Sequence, residues 1–135
     1  MGFVVDASMT CAWVLPDEVT SGAEAVLELA ATTEVFVPSV WRADVMNSLV
    51  QVCRRGGITE ENVLKFWMYL DRLGIHESAY SAPSQQILTL CRAYGLTGYQ
   101  SQYVALAKWM KMLLATVDPQ LAAAARREGV DVLGS

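Results

Sequence analysis

Charge, cysteine, histidine and long apolar runs are all scarce in this 135-residue sequence, and each shortage removes a class of protein. Charged residues make up 18% and apolar ones 53%, against about 25% and 45–50% in ordinary globular chains. A chain this apolar buries a core, which excludes disorder as its main state. Cys11, Cys53 and Cys91 are odd in number, far apart and not in C-x-x-C spacing. They exclude a disulfide framework and a zinc cluster, fit a reducing compartment, and read as buried small hydrophobes. The single histidine, His76, has no nucleophile near it in sequence and reads as a surface or strand-end side chain, not a general base. Asp6 breaks the first apolar run and Pro16-Asp17-Glu18 ends the next, so neither a secretory signal nor a membrane span of about 20 residues is read. A myristoylation start after Gly2 would need Ser or Thr where Asp6 stands. The expectation is a soluble, cytoplasmic protein without a membrane partner. No G-x-G-x-x-G, G-x-x-x-x-G-K or G-x-S-x-G is present, which disfavours dinucleotide, P-loop and serine-hydrolase chemistry. Basic character is lacking too: 14 acids face 10 bases, a net charge of −4. Any polyanion partner would need local help, such as a metal ion.

What is present is an alternation. Gly2 to Asp6 is a β-branched run ending in an acid, followed by a helix from Ala7 to Leu15 that Pro16 stops. A helix over Thr20 to Ala31 leads to a strand at Glu34 to Val37, ended by Pro38. Ser39 is positioned to cap a helix reaching Arg55, where Gly56-Gly57 ends it, and Thr59 with Glu60 and Glu61 opens the next, making a helical hairpin. A weak strand falls around Ile75, a helix opens at Ser81 and ends at Gly95, and a Tyr99, Tyr103, Leu106, Met110 stripe marks another helix. Leu113 to Thr116 reads as a strand, Asp118-Pro119 as a helix start, and Val130 to Leu133 closes the chain. With no internal repeat or linker, residues 1–135 are expected to form a single domain. Strands alternating with helices predict an α/β fold, with helices packed on a mainly parallel sheet of four to five strands.

In such sheets ligands bind beyond the carboxyl ends of the strands, at a topological switch point. Asp6 ends the first strand and Asp118 lies just beyond the fourth, so the two acids are placed to share one edge. Each also has a plainer reading. Asp118 before Pro119 is the grammar of an N-cap, Asp6 could cap the helix from Ala7, and Asp44 groups with Val40, Asn47, Ser48 and Gln51 on a face away from the Trp41, Val45, Leu49, Val52 stripe, a solvated face by default.

Taken together, the order of residues resembles the PIN-domain nucleases, and specifically the VapC-type toxins of bacterial toxin–antitoxin pairs. Five pieces in order carry the resemblance: Val4-Val5-Asp6-Ala7-Ser8; Val37-Pro38-Ser39-Val40-Trp41 leading to Asp44 and Asn47; Leu96-Thr97-x-Tyr99; Tyr103-Val104-Ala105-Leu106-Ala107; and Leu114-Ala115-Thr116-Val117-Asp118 with Leu121. The family implies a three-layer α/β/α sandwich and a carboxylate cluster that binds Mg²⁺ or Mn²⁺ and hydrolyses RNA. By resemblance Asp6, Asp44 and Asp118 are the metal-binding, catalytic acids, and Ser8, Asn47 and Thr116 are hydrogen-bond partners that orient them. Oxygen ligands suit Mg²⁺, a hard cation that keeps several waters. The resemblance also implies a VapB-like antitoxin partner and assembly as a homodimer or a toxin–antitoxin hetero-oligomer.

Two positions depart from the family pattern. Asp44 stands where Glu is usual, a mild change. Gln100, in Leu96-Thr97-Gly98-Tyr99-Gln100-Ser101, stands at a fourth metal-binding position, where an acid is expected. Removing a unit charge about 4 Å from a cation forfeits on the order of a few kcal/mol at an effective dielectric near 20. The alternative function is therefore a catalytically impaired PIN-fold protein acting as a binding module in an antitoxin regulatory complex. Asp17 and Glu18 are read as a solvated turn more readily than as replacement acids. Arg54-Arg55, Lys108 and Lys111, and Arg126-Arg127 are candidate phosphate contacts that also fit solvated helix ends, so no RNA-binding residue is assigned. In the segment from Thr59 to Arg72, Val63, Phe66, Trp67 and Leu70 share one face, while Leu64, Met68 and Tyr69 fall elsewhere, which a large core or a partner would cover.

Overall fold

Phe3, Val4 and Val5 are successive residues of one strand and all are buried, although alternate strand residues point to opposite faces. Both faces of this strand are therefore covered, the signature of a parallel sheet between two helical layers. The computed structural model describes residues 2–134. Its elements are β1 (Gly2–Val5), α1 (Ala7–Ala12), α2 (Ser21–Ala30), β2 (Glu34–Val37), α3 (Trp41–Arg54), α4 (Glu60–Arg72), β3 (His76–Glu77), α5 (Ser84–Tyr94), α6 (Gly98–Met110), β4 (Leu113–Ala115), α7 (Pro119–Arg127) and β5 (Val132–Leu133).

The five strands lie in the order β3-β2-β1-β4-β5 and every pairing is parallel, with Val4 opposite Phe36 on one side and Val5 opposite Ala115 on the other. From β1 the chain steps outward to β2 and β3, then returns across the sheet to β4 and steps out to β5. Right-handed crossovers therefore put the helices that follow β1 and β2 on one face and those that flank β4 on the other. The packing agrees: α1 lies on α3, while α6 lies on α5, on α7 and on both β1 and β4. This is the three-layer α/β/α sandwich expected, with five strands. The switch point falls between β1 and β4. No helix among the described residues is long and apolar enough to cross a membrane.

Several boundaries differ from expectation, each for a local reason. α1 ends at Ala12, not Leu15, because Val14 and Leu15 both turn their N–H groups to the Cys11 carbonyl and Pro16 bars helical geometry at the residue before it. α3 has no side-chain cap from Ser39; Trp41 N–H donates to the Pro38 carbonyl and a helical Val40 leads in. α5 starts at Ser84 instead of Ser81, since Pro83 holds the chain extended. The weak third strand expected around Ile75 is present, as the two residues His76–Glu77. Of the cysteines read as buried, only Cys11 is; Cys53 and Cys91 are half-buried, and all three are free thiols. His76 is exposed at a strand end, against the Phe36 ring, as read.

One buried contact ties the layer of α1 and α3 to the first strand. The Trp41 indole N–H donates to the Thr10 hydroxyl at 3.0 Å, and that hydroxyl donates to the Asp6 carbonyl at 2.8 Å. Trp41 also meets Trp67 of α4 edge-on, with ring centroids 5.5 Å apart, which closes the α3–α4 hairpin.

Candidate active site

Asp6 leaves β1 in extended conformation and caps α1: its Oδ1 accepts the Met9 N–H at 2.8 Å. Oδ2 accepts the Thr116 hydroxyl at 2.6 Å, and the Ser8 hydroxyl lies 2.9 Å from both oxygens. Thr116 comes from the end of β4, so the neighbouring central strands meet at this carboxylate. Asp118, two residues on, caps α7, with Oδ1 accepting from Gln120 N–H at 2.9 Å. Capping and site geometry thus coincide at both acids. Ser8 and Thr116 extend the network by receiving Val117 N–H and Asp118 N–H respectively, at 3.2 and 3.0 Å.

Asp6, Asp44 and Asp118 line one cleft of about 350 Å³, together with Ser8, Gln100 and Tyr103. Asp44, Ser48 and Gln51, from the face of α3 read as solvated by default, form a wall of that cleft together with Arg55 and with Val52 of the apolar stripe. Asn47 is exposed and outside it: at about 100° per residue it lies roughly 60° to one side of Asp44, whereas the cleft runs to the other side. Ser48, not Asn47, is the polar neighbour brought in.

Three further contributors were not assigned from sequence. Tyr103, buried on α6, donates its hydroxyl to Asp44 Oδ2 at 2.8 Å; burial and the Asp44 charge push its pKa upward, which keeps the donor protonated. In sequence it stood in the α6 stripe and in one of the pieces that carry the family resemblance, with no site role attached. Glu18, read as a solvated turn, lines the cleft, and so does Arg55; Asp17 does not.

Asp6 is only 2% exposed, and burial pushes its carboxyl up to about 6, opposed by the Thr116, Met9 and Ser8 hydrogen bonds and assisted by the Asp118 charge. No ion pair neutralises Asp6, Asp44 or Asp118 among the described residues. Beside them, burial chiefly pushes the Cys11 thiol up to about 12, which makes it inert.

Gln100 occupies its position as a neutral clamp. Its Oε1 accepts Thr97 N–H at 2.9 Å, completing a capping box at the start of α6, and its Nε2 donates to Asp118 Oδ2 at 2.9 Å.

The donors suit a divalent cation in chemistry but not as a cage. All are hard oxygens. Asp6 receives three hydrogen-bonding protons on its roughly four lone-pair sites, and Asp44 only one, so coordination capacity remains. Among the described residues no three His, Cys, Asp or Glu side chains stand close enough to share one ion. That fits Mg²⁺ carried by one or two carboxylates, with water and a substrate phosphate completing its shell.

No model of a known protein family matches the chain. The chain is 32% identical over 126 residues to ribonuclease VapC3 of Pyrobaculum aerophilum, an alignment covering 90% of this chain and 93% of that protein. Among solved structures, PAE2754 of Pyrobaculum aerophilum matches 98% of this chain and 89% of its own, with a TM-score of 0.73 at 17% identity. VapBC2 of Rickettsia felis, solved bound to a DNA fragment from their promoter, matches 98% and 97%, with a TM-score of 0.62 at 18% identity. A PilT N-terminus domain protein, SSO1118 of Sulfolobus solfataricus, matches 98% and 85% at a TM-score of 0.52 and 14% identity. The fold is thus that of a PIN, or PilT N-terminus, domain. The chain belongs to the VapC family of PIN-domain proteins.

Proposed function

We propose that this protein is a VapC-type toxin, a metal-dependent endoribonuclease that is neutralised by a VapB-like antitoxin. The observation that carries the reading is the convergence of Asp6, Asp44 and Asp118, from three distant segments, on one cleft at the β1–β4 switch point. The relative's name supplies the substrate class, ribonuclease, and the Rickettsia felis pair supplies the precedent for the partner. One or two of Asp6, Asp44 and Asp118 would hold Mg²⁺ or Mn²⁺ directly, with the remaining acid reaching it through water; the ion would supply Lewis-acid stabilisation of the phosphodiester and a more acidic water. The protein's own part is positional. Ser8 and Thr116 fix both Asp6 oxygens, Tyr103 fixes Asp44, and the Asp118 cap fixes the start of α7.

One observation favours a second reading, the catalytically silent binding module. Gln100 satisfies Asp118 through an amide proton, leaving the carboxylate partnered without any metal. A single set of assays separates the readings: RNA cleavage with Mn²⁺ and with EDTA, for the unaltered chain, Asp6→Asn and Gln100→Asp. The toxin reading expects cleavage by the unaltered chain, abolished by EDTA and by Asp6→Asn, with metal affinity raised about tenfold or more in Gln100→Asp. Cleavage that survives EDTA and Asp6→Asn would sink the site assignment. Activity appearing only in Gln100→Asp would establish the silent reading.

A further inference from the structure

Asp6, Glu18, Asp44 and Asp118 all place negative charge on the cleft, yet a phosphodiester strand would have to enter it. Among the described residues one basic side chain lines this cleft: Arg55, at the C-cap of α3. Several other cations are engaged or face elsewhere. Arg42 pairs with Asp71 at 2.8 Å and lies over the Trp67 ring, Lys108 pairs with Glu128 at 2.8 Å, and Lys65 is 3.7 Å from Glu61. Arg54 faces a different groove, with Met46, Val50 and Leu64. The Arg55 guanidinium has neither an ion pair nor a hydrogen bond among the described residues. The α3 dipole favours a cation at this end, but Arg54 meets that need equally well and does not face the cleft.

Winding decides which phosphate Arg55 could reach. It follows Asp44 by three turns, returning to within about 20° of the same face but some 16 Å further along the axis. At the backbone Arg55 thus stands well along the cleft from the carboxylates, which suits a phosphate flanking the one they would receive.

We propose that Arg55 receives a flanking phosphate of the RNA strand, beyond the bond presented to Asp6, Asp44 and Asp118, and so holds the strand along the cleft. This rests on the RNA reading above and adds a binding residue to it. Guanidinium suits the task because its planar fork grips two phosphate oxygens at once, which an ammonium does not.

The test is binding of a fluorescein-labelled, cleavage-resistant phosphorothioate RNA of about 12 nucleotides, titrated in Mg²⁺ at several salt concentrations. The full chain is compared with Arg55→Ala, Arg55→Lys and Arg54→Ala, with melting temperatures measured alongside. Arg55→Ala is expected to weaken binding about tenfold and to lower the slope of log K against log salt by about 0.7, the value for one phosphate on a single strand. Arg55→Lys should recover the slope but only part of the affinity, and Arg54→Ala should keep both. Equal affinity and slope in Arg55→Ala, or equal losses in both alanine variants, would overturn the assignment while leaving RNA binding intact. Failure of the unaltered chain to bind the RNA would overturn the RNA reading and this inference with it.

Discussion

Asp6 carries two roles that pull on its protonation in opposite senses. Hydrogen bonds from Met9, Ser8 and Thr116 favour the carboxylate, but burial outweighs them and lifts the group from 3.8 to about 6. Between those values the folded chain holds a proton that the unfolded chain has lost, so stability falls as pH rises through this window and is level above it. The penalty above about pH 6 is at most roughly 3 kcal/mol, since each tenfold change in proton affinity is worth about 1.4 kcal/mol. Asp6→Asn keeps a capping side chain and removes the charge. In EDTA, urea unfolding should find the variant more stable by roughly 1–3 kcal/mol at about pH 8, with the gain gone by about pH 4. A gain that does not vary with pH would mean that burial of the charge is not its cause. The sequence made Asp6 and Asp118 legible because acids after strand ends have a grammar. Tyr103 and Glu18 have none: one is an aromatic in an apolar stripe, the other a turn acid, and only the packing of α6 and the α1–α2 turn brings them to the cleft.

The start of α6 shows how an element's own chemistry aims a side chain. Thr97 Oγ1 accepts Gln100 N–H at 3.1 Å and Gln100 Oε1 accepts Thr97 N–H in return, so the amide is held at one end while the other reaches Asp118. Thr97→Ala removes one half of that box and should cost about 1 kcal/mol of stability, with Thr97→Ser close to the unaltered chain. Urea midpoints at a common slope would check this; an alanine variant as stable as the serine one would show that the cap carries no weight. A second tie secures the same region. Gly95 ends α5 with φ +66°, and the Gln120 side-chain amide donates to the Tyr94 and Gly95 carbonyls, joining the end of α5 to the start of α7. Most elements were readable from period and punctuation, since Pro16, Pro38, Gly56 and Gly95 stand at or near breaks. The misplaced ends, at Leu15, Ser39 and Ser81, all lie within two residues of a proline, where backbone geometry overrode the side-chain signal. Asn47 was placed by a different ambiguity: residues three and four apart both neighbour Asp44, and it is Ser48 that the structure brings to the cleft.

Across the whole molecule, apolar surface and charge are unevenly spread. Val63, Phe66, Trp67 and Leu70 of α4 are buried, but Leu64, Met68 and Tyr69 remain exposed, Leu64 by 63%, so the core does not cover every apolar face that the sequence displays. Charge is concentrated instead: the net value is −4, and the three cleft aspartates supply most of it. Two of them follow β1 and β4, the central strands, whose Val4, Val5, Leu114 and Ala115 are fully buried. A ligand held there is coupled to global unfolding and not to a fraying edge. Mg²⁺ at about 100 times its dissociation constant should therefore add about 2.7 kcal/mol, or raise the melting temperature by roughly 10 °C for a chain of this size. The shift should be larger at about pH 8 than at about pH 5, because the ion must displace the proton that Asp6 holds below its raised pKa. Asp6→Asn with Asp118→Asn should lose most of the shift, while Leu64→Ala, far from the carboxylates on an exposed face, should keep it. Scanning calorimetry of the three proteins at both pH values decides the matter. An undiminished shift in the double variant would place the ion outside this cleft, and a shift indifferent to pH would separate its binding from the Asp6 carboxyl.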